Sequence, residues 1–370
     1  MSAPVFSSQQ SHFPPGLTAS AGGLAAPLIW MVMASGAVVL FEPAPYDAFM
    51  IGLLLLLPAL GVVTLTRSVL ILAACWLIVA AGGLAASVQS SVYGVPAKHT
   101  AISLFLSAST ILVAGFVLTD PYRNGRVVLS GMAAGAIFTA VAGLLGYFSL
   151  VPGAWDLFTE FGRARGAFKD PNVYGPFIVC GVLWCLHLLL HASRFKALAA
   201  TAVLPMLLLG VLISFSRGAW LNMAASLAVY LFLALGLAST NRFRLRLMLY
   251  AMAGLVAATA VVGLTLQIPD VADFLRERAS LAQDYDVGPN GRFAGQAKAV
   301  GLIAAHPLGI GALEFSRSHH PEDVHNVYFS MFLNTGWAGG FLYLALVMAT
   351  LYAGLRQCLA NAQLRALLAV

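Results

Sequence analysis

Long apolar runs alternate with short polar breaks along this chain. The runs fall at roughly 24–41, 47–65, 68–88, 99–119, 127–150, 172–191, 196–213, 218–238, 246–267 and 337–355. Each approaches the ~20 residues a helix needs to cross a bilayer, and they are too long and continuous for strands. The pattern predicts an all-α polytopic integral membrane protein with about 10 or more transmembrane helices. One break stands apart, the long polar stretch 268–325. Within it, FAGQAKAVGLIAA (293–305) places Phe293, Ala297, Val300 and Ala304 on one helical face, so an amphipathic helix is expected, stopped by Pro307. Residues 326–336 read as helical, and Gly336, Gly339 and Gly340 predict a break before the last span. The resulting order is a tail (1–23), nine spans with short loops (24–267), one large loop (268–325) and a C-terminal membrane region (326–370). The apolar close LRALLAV is expected to be a cut edge, with a further span beyond Val370.

Composition agrees with the pattern. Hydrophobic residues are 60% of the chain and charged residues 9%, against about 25% charged in soluble domains. Mean hydropathy is +0.87. No Lys or Arg precedes the first run, so it reads as a retained span rather than a secretory signal. Cys75, Cys180, Cys185 and Cys358 have neither metal nor disulfide spacing, and Gly131 with Gly135 reads as helix packing.

The net charge of +6 gains meaning once its members are placed. A cytoplasmic N-terminus puts Arg67, Arg123, Arg126, Arg194, Lys196, Arg242, Arg244, Arg246 and Arg356 inside, as the positive-inside rule requires. The loop 268–325 is then periplasmic or extracellular. This topology exposes an anomaly, because FGRARGAFKDPN, SFSRGAW and NGRF all lie outside yet carry Arg163, Arg165, Lys169, Arg217 and Arg292. Guanidinium groups grip phosphate through paired, charge-assisted hydrogen bonds, and several arginines from separate loops suit a pyrophosphate. Lipid headgroups or the neighbouring Glu160 and Asp170 are the alternative partners. Asp170, Pro171 and Asn172 read as a helix entry, and Asn172 also stands where it can face an anion site.

The stretch SHHPEDVHNVYF (318–329) holds His319, His320, Glu322, Asp323 and His325 directly before an apolar run. These are metal-ligand types, but H-H-x4-H matches no helical zinc motif. His325, beside Asn326, is a candidate base for a sugar hydroxyl, with Glu322 or Asp323 orienting its ring. Closing a helix start is its plainer role. His319 and His320 are expected to be solvated loop residues, and His187 and His191 interfacial ones. The spans as drawn contain no deep Lys, Arg, Asp or Glu, which argues against an ion-coupled transporter. No P-loop, Rossmann fingerprint or DxD-like pair is present, so the substrate must arrive already activated and in the membrane.

Four motifs occur in order: RARGAFKDPNVYG, SFSRGAW, GRFAGQAKAVGLIAAHPLGIG and VHNVYFSMFLNTGWAGG. Together, over about residues 160–345, they resemble the O-antigen ligase and polymerase superfamily of bacterial envelopes. That family usually continues with more membrane helix after the region where this sequence closes. The resemblance implies a GT-C-like helical fold in the bacterial inner membrane with its active site facing the periplasm. It implies metal-independent transfer of a glycan from undecaprenyl pyrophosphate, with no cofactor and no nucleic-acid partner. By motif match it assigns His325 as catalytic and Arg163, Arg165, Arg217 and Arg292 to the pyrophosphate; Lys169, Asn172, Asn326, Glu322 and Asp323 are supporting candidates by position. A lipid A–core saccharide is the preferred acceptor, giving lipopolysaccharide. Polymerase, protein O-oligosaccharyltransferase and flippase are the alternatives.

Overall fold

The computed structural model describes residues 15–236, 240–267, 272 and 288–360. Parts of three expectations lie outside these residues: the tail before residue 15, most of the loop stretch 268–287, and the close 361–370.

The chain forms α1 (Pro15–Ser35), α2 (Pro45–Ala59), α3 (Arg67–Ser87), α4 (Gly94–Val117) and α5 (Pro121–Tyr147). A short α6 (Ala154–Phe158) and a hairpin, β1 (Thr159–Glu160) and β2 (Arg163–Ala164), follow. Then come α7 (Pro171–His191), α8 (Arg194–Ile213), α9 (Arg217–Gly236), α10 (Asn241–Thr265), α11 (Arg292–Ala305) and α12 (Val327–Ala360). Ten of these helices overlap the ten apolar runs. Seven are long and apolar enough to cross a membrane by length and composition, while Gly23–Ser35 and Pro45–Ala59 are shorter apolar helices. Among the described residues the only sheet is the two-stranded hairpin. The chain is thus an all-α protein of membrane-spanning character.

The starts follow from the residues at the breaks. Thr66, Asp120, Asp170 and Thr240 each accept a hydrogen bond from a backbone N–H in the first turn of α3, α5, α7 and α10. Such a cap stabilises a helix by about 1 kcal/mol. Pro121 and Pro171 stand in the first turns of α5 and α7, where no N–H is needed. Hydroxyls inside the helices turn back on their own chain, as Ser107 does to the Ser103 carbonyl at 2.8 Å, which satisfies them without water.

Helices α5 and α7 lie at the centre. Small residues let α1 close on α5: a Cβ at Gly131 or Gly135 would stand 2.7 Å from the Trp30 or Ala34 carbonyl oxygen. This is the close approach expected of small-xxx-small spacing. Helix α7 packs against α5, α8 and α9 through buried Tyr174, Ile178 and Val182 with Ala140, Leu207 and Val211. All four cysteines are free. His187 lies one turn before the C-terminal end of α7. It is buried, stacked between Trp184 and His191 at centroid distances of 5.1 and 4.9 Å.

The decisive break is in α12. Gly336 adopts φ 71° and ψ −175° inside an otherwise helical run, so the break expected at Gly336, Gly339 and Gly340 falls on the first of them. The carbonyl of Leu333 accepts from the N–H groups of Ile310 and Gly311, and the N–H of Trp337 donates 2.8 Å to the Pro307 carbonyl. The descending loop is therefore fixed to the kink by backbone bonds. Helix α11 packs beneath it through Ala299, Leu302 and Ile303, against Ile310, Phe315, Val324 and Leu333. The face counted from sequence is the outward one, with Phe293 and Val300 exposed. The helix thus has two apolar sides, and the smaller residues are the ones buried against protein.

Glu314 ties the loop to the α3–α4 connection. Its carboxylate accepts from Ser90 and Ser91 at 2.7 and 3.0 Å, and from Ser318 at 2.6 Å. Burial opposes its ionisation, but the hydroxyl donors outweigh that and hold it below the ordinary carboxylate value. A depressed folded value contributes stability that is complete above the unfolded value and is lost as pH falls through the folded one.

Two outcomes follow. Gly336→Ala would carry a strained positive φ, about 1–3 kcal/mol. Its Cβ would also lie 2.6 Å from the Pro307 carbonyl oxygen. The apparent thermal midpoint in detergent should fall by several degrees, whereas Gly354→Ala, with open space around it, leaves it unchanged or higher. Glu314→Gln should lower the midpoint at neutral pH, and its difference from wild type should shrink as pH drops below about 4.

Candidate functional site

The site is assembled from helix entries. Phe161 and Gly162 have φ of 51° and 70° and join β1 to β2 in register Thr159↔Ala164 and Glu160↔Arg163. Two positive φ values at the centre of a two-residue loop make a type I′ hairpin turn. The turn brings Arg163 back over the ends of two helices. The Arg163 Nε donates 2.8 Å to the Ser214 carbonyl at the C-terminus of α8, and a terminal nitrogen donates 2.8 Å to Asn172 Oδ1 at the start of α7. Arg163 is buried, so its charge has fixed neighbours. Ser214 leads into Phe215, with φ 45°. Ser216 then accepts from Ala219 N–H at 3.3 Å and starts α9 at Arg217.

On the other flank, Asn326 Oδ1 accepts from the N–H groups of Tyr328 and Phe329 at 3.0 and 3.3 Å, capping α12. His325 directly before it adopts φ 51°, an uncommon conformation for a residue with a Cβ. Its Nε2 lies 3.3 Å from Glu322 Oε2. In a neutral ring, a hydrogen bond to this carboxylate requires the proton on Nε2 and leaves the lone pair on Nδ1. Both side chains are about half exposed.

These parts share one cavity of about 1250 Å³. Arg163, Lys169, Arg217, Arg292, Asn172, Glu322, Asp323 and His325 all line it. The structure thus gathers eight of the ten residues singled out from sequence, contributed by the hairpin loop and the starts of α7, α9, α11 and α12. Helix starts present free N–H groups and a partial positive charge, which adds to the cationic side chains. Of the four carboxylates on the wall, Asp170 caps α7 and Glu322 faces His325. Glu160 sits 3.6 Å from Arg165. Lys169 reaches Glu42 at 2.6 Å, and that ion pair holds the Glu42 carboxyl below its ordinary value.

Two of the ten stand elsewhere. Arg165 is absent from the cavity wall, and its guanidinium lies 3.6 Å from Glu160. Asn326 faces a smaller neighbouring pocket. The histidine cluster also divides differently from expectation. His320, expected to be solvated, is buried, stacked on Phe315 at 5.7 Å. Gly295 of α11 makes room for it, since a Cβ there would lie 3.1 Å from the His320 ring. Lys298 of the same helix donates to the His319 carbonyl, so α11 clamps the π-helical turn Phe315–His319. Among the described residues no group of three or more His, Cys, Asp or Glu is placed to hold a metal ion.

Sequence reasoning missed Phe161, Phe215 and Ser216 on the cavity wall. Phe161 and Phe215, with His325, are three of the five non-glycine residues of positive φ among the described residues. Such strain gathers at functional sites, but no local sequence signal marks a phenylalanine for it.

Residues 202–344 match the family model described as O-antigen ligase. No curated protein and no solved structure matches the chain. The matched stretch runs from within α8 to within α12 and carries Arg217, Arg292, Glu322, Asp323, His325 and Asn326, whereas the hairpin arginines precede it. Over this stretch, somewhat under half of its length, the chain is similar to the O-antigen ligase family.

Proposed function

We propose that the protein is an O-antigen ligase of the bacterial inner membrane. In this reading it transfers a glycan from undecaprenyl pyrophosphate to a lipid A–core hydroxyl at the periplasmic face. The observation that carries it is one cavity shared by Arg163, Arg217, Arg292, Lys169 and His325, in a chain whose residues 202–344 match the ligase family.

The chemistry follows from the groups on the wall. The arginines and Lys169 hold the pyrophosphate, with the starts of α7, α9 and α11 adding donors. The acceptor oxygen attacks the anomeric carbon from the side away from the pyrophosphate. The bond from that carbon to the phosphate oxygen breaks, and polyprenyl pyrophosphate departs with the electron pair. The acceptor proton passes to Nδ1 of His325, whose ring Glu322 orients, and the configuration inverts. Pyrophosphate is a good leaving group, and cationic side chains carry its developing charge, so the reaction as drawn requires no metal. Arg165 acts at one remove, by holding Glu160.

Reconstitution with a lipid-linked glycan donor tests this, offering core-bearing lipid A, a second donor molecule or a protein as acceptor. Product with core-bearing lipid A supports the ligase. Product only with the second donor makes the protein a polymerase, and product only with protein makes it an oligosaccharyltransferase. Donor crossing the bilayer unreacted makes it a flippase.

His325→Ala should lower the transfer rate by about 10²–10⁴-fold while donor affinity stays within about twofold. Glu322→Ala should cost less, and nothing further on the His325→Ala background, because it acts through that ring. Arg217→Lys should reduce kcat/KM for the donor by roughly 10–100-fold, the worth of charge-assisted hydrogen bonds that lysine cannot reproduce. A chelator should leave the rate unchanged.

A further inference from the structure

The wall that carries His325 has a second side. A smaller pocket of about 360 Å³ lies there, and Asp323, His325 and Val327 line both spaces. The two differ in chemistry. The larger has four cationic side chains. The smaller contains no Lys or Arg, and its polar groups come from His99, Asp323, His325, Asn326, Ser330 and Asn334. An imidazole, amides and a hydroxyl are donors and acceptors suited to uncharged sugar hydroxyls. A pyrophosphate would meet Asp323 there with no cation to offset the repulsion.

His99 and Asn334 also line a third space of about 240 Å³, which runs between α3, α4 and α12. Its walls are mostly apolar, with Trp76, Val79, Leu104 and Leu106. The hydroxyls on its α4 side are turned inward. Ser103 donates to the His99 carbonyl at 3.0 Å, Ser107 to the Ser103 carbonyl at 2.8 Å and Thr110 to the Leu106 carbonyl at 3.0 Å. The groove therefore presents carbon to its contents, and at 1.5 Å per residue it extends about 16 Å along α4 from His99 to Thr110.

We propose that the smaller pocket is the acceptor subsite. His99 and Asn334 bind hydroxyls of a lipid-linked saccharide, and an acyl chain of that lipid descends between α4 and α12. This rests on the glycan-transfer reading above and gives it a geometric partner. Inversion requires nucleophile and leaving group on opposite sides of the anomeric carbon, and His325 stands between a cavity with four basic side chains and a polar pocket with no Lys or Arg.

The test uses the full chain in proteoliposomes, with a lipid-linked glycan donor and core-bearing lipid A varied in concentration. His99→Ala and Asn334→Ala should each raise the acceptor KM about 3–10-fold, the loss of one hydrogen bond. Donor Kd and the slow hydrolysis of donor by water should stay within about twofold, which also shows that the variants are folded. Ser103→Phe, which fills the groove from an exposed position, should abolish the preference for acylated over deacylated core. Unchanged acceptor KM in both alanine variants overturns the proposal, as does a donor Kd that rises in step with it. If a second donor molecule is the working acceptor, the ligase reading falls, and the subsite stands only if the same variants raise the KM of that acceptor. If no saccharide accepts while the donor is still bound, the transfer reading and the subsite fall together.

Discussion

Gly336 turns the backbone to φ 71° inside an apolar helix, and the candidate site depends on what that turn releases. An uninterrupted helix would spend the Leu333 carbonyl and the Trp337 N–H on its own ladder. Here both are given to the segment 307–311. Backbone groups cannot remain unpaired in a low-dielectric surrounding, so kink and loop require one another. With the loop fixed, Phe315 and Val324 reach the core beside Leu333, Glu314 meets Ser90 and Ser91, and His325 is delivered to the start of α12.

The opposite wall is held by a different device. Arg163 joins the hairpin, the end of α8 and the start of α7 through two hydrogen bonds. A lysine has a single nitrogen and no planar fork, so it would leave one of these elements loose. Arg163 is thus both a wall of the cavity and the clamp that sets where that wall stands. Backbone bonds on one side and a guanidinium clamp on the other keep the groups facing each other within narrow limits.

Much of this was legible in the sequence, for identifiable reasons. Spans are read from length and hydropathy because a bilayer imposes both, and ten helices follow the ten runs. The arginines were noticed because topology made Arg163, Arg217 and Arg292 anomalous, and the structure puts all three on one wall. Other features depend on contacts that pattern does not carry. His320 looked like a loop histidine, but Gly295 opens a seat for it on α11, and only the packed structure relates those positions. Arg165 is two residues from Arg163 and chemically identical, and its capture by Glu160 depends on the hairpin register. On α11 the pattern marks the exposed apolar face, while the opposite side packs through Gly295 and Ala299, small residues that carry no apolar signal of their own.

That outward face of α11 has a consequence of its own. Phe293, Val300 and, just beyond, Leu308 are exposed on a helix whose other side is tied to the kink. Such a surface settles at the boundary between water and hydrocarbon. On the orientation proposed above, the helix would act as a float and, being fastened to the segment leading to His325, would set the altitude of the imidazole above the lipid. A sugar carried on a membrane anchor is presented at a height fixed by its linker. Under the transfer reading proposed above, the float would work as a gauge, favouring the sugar units whose distance from their anchor matches it.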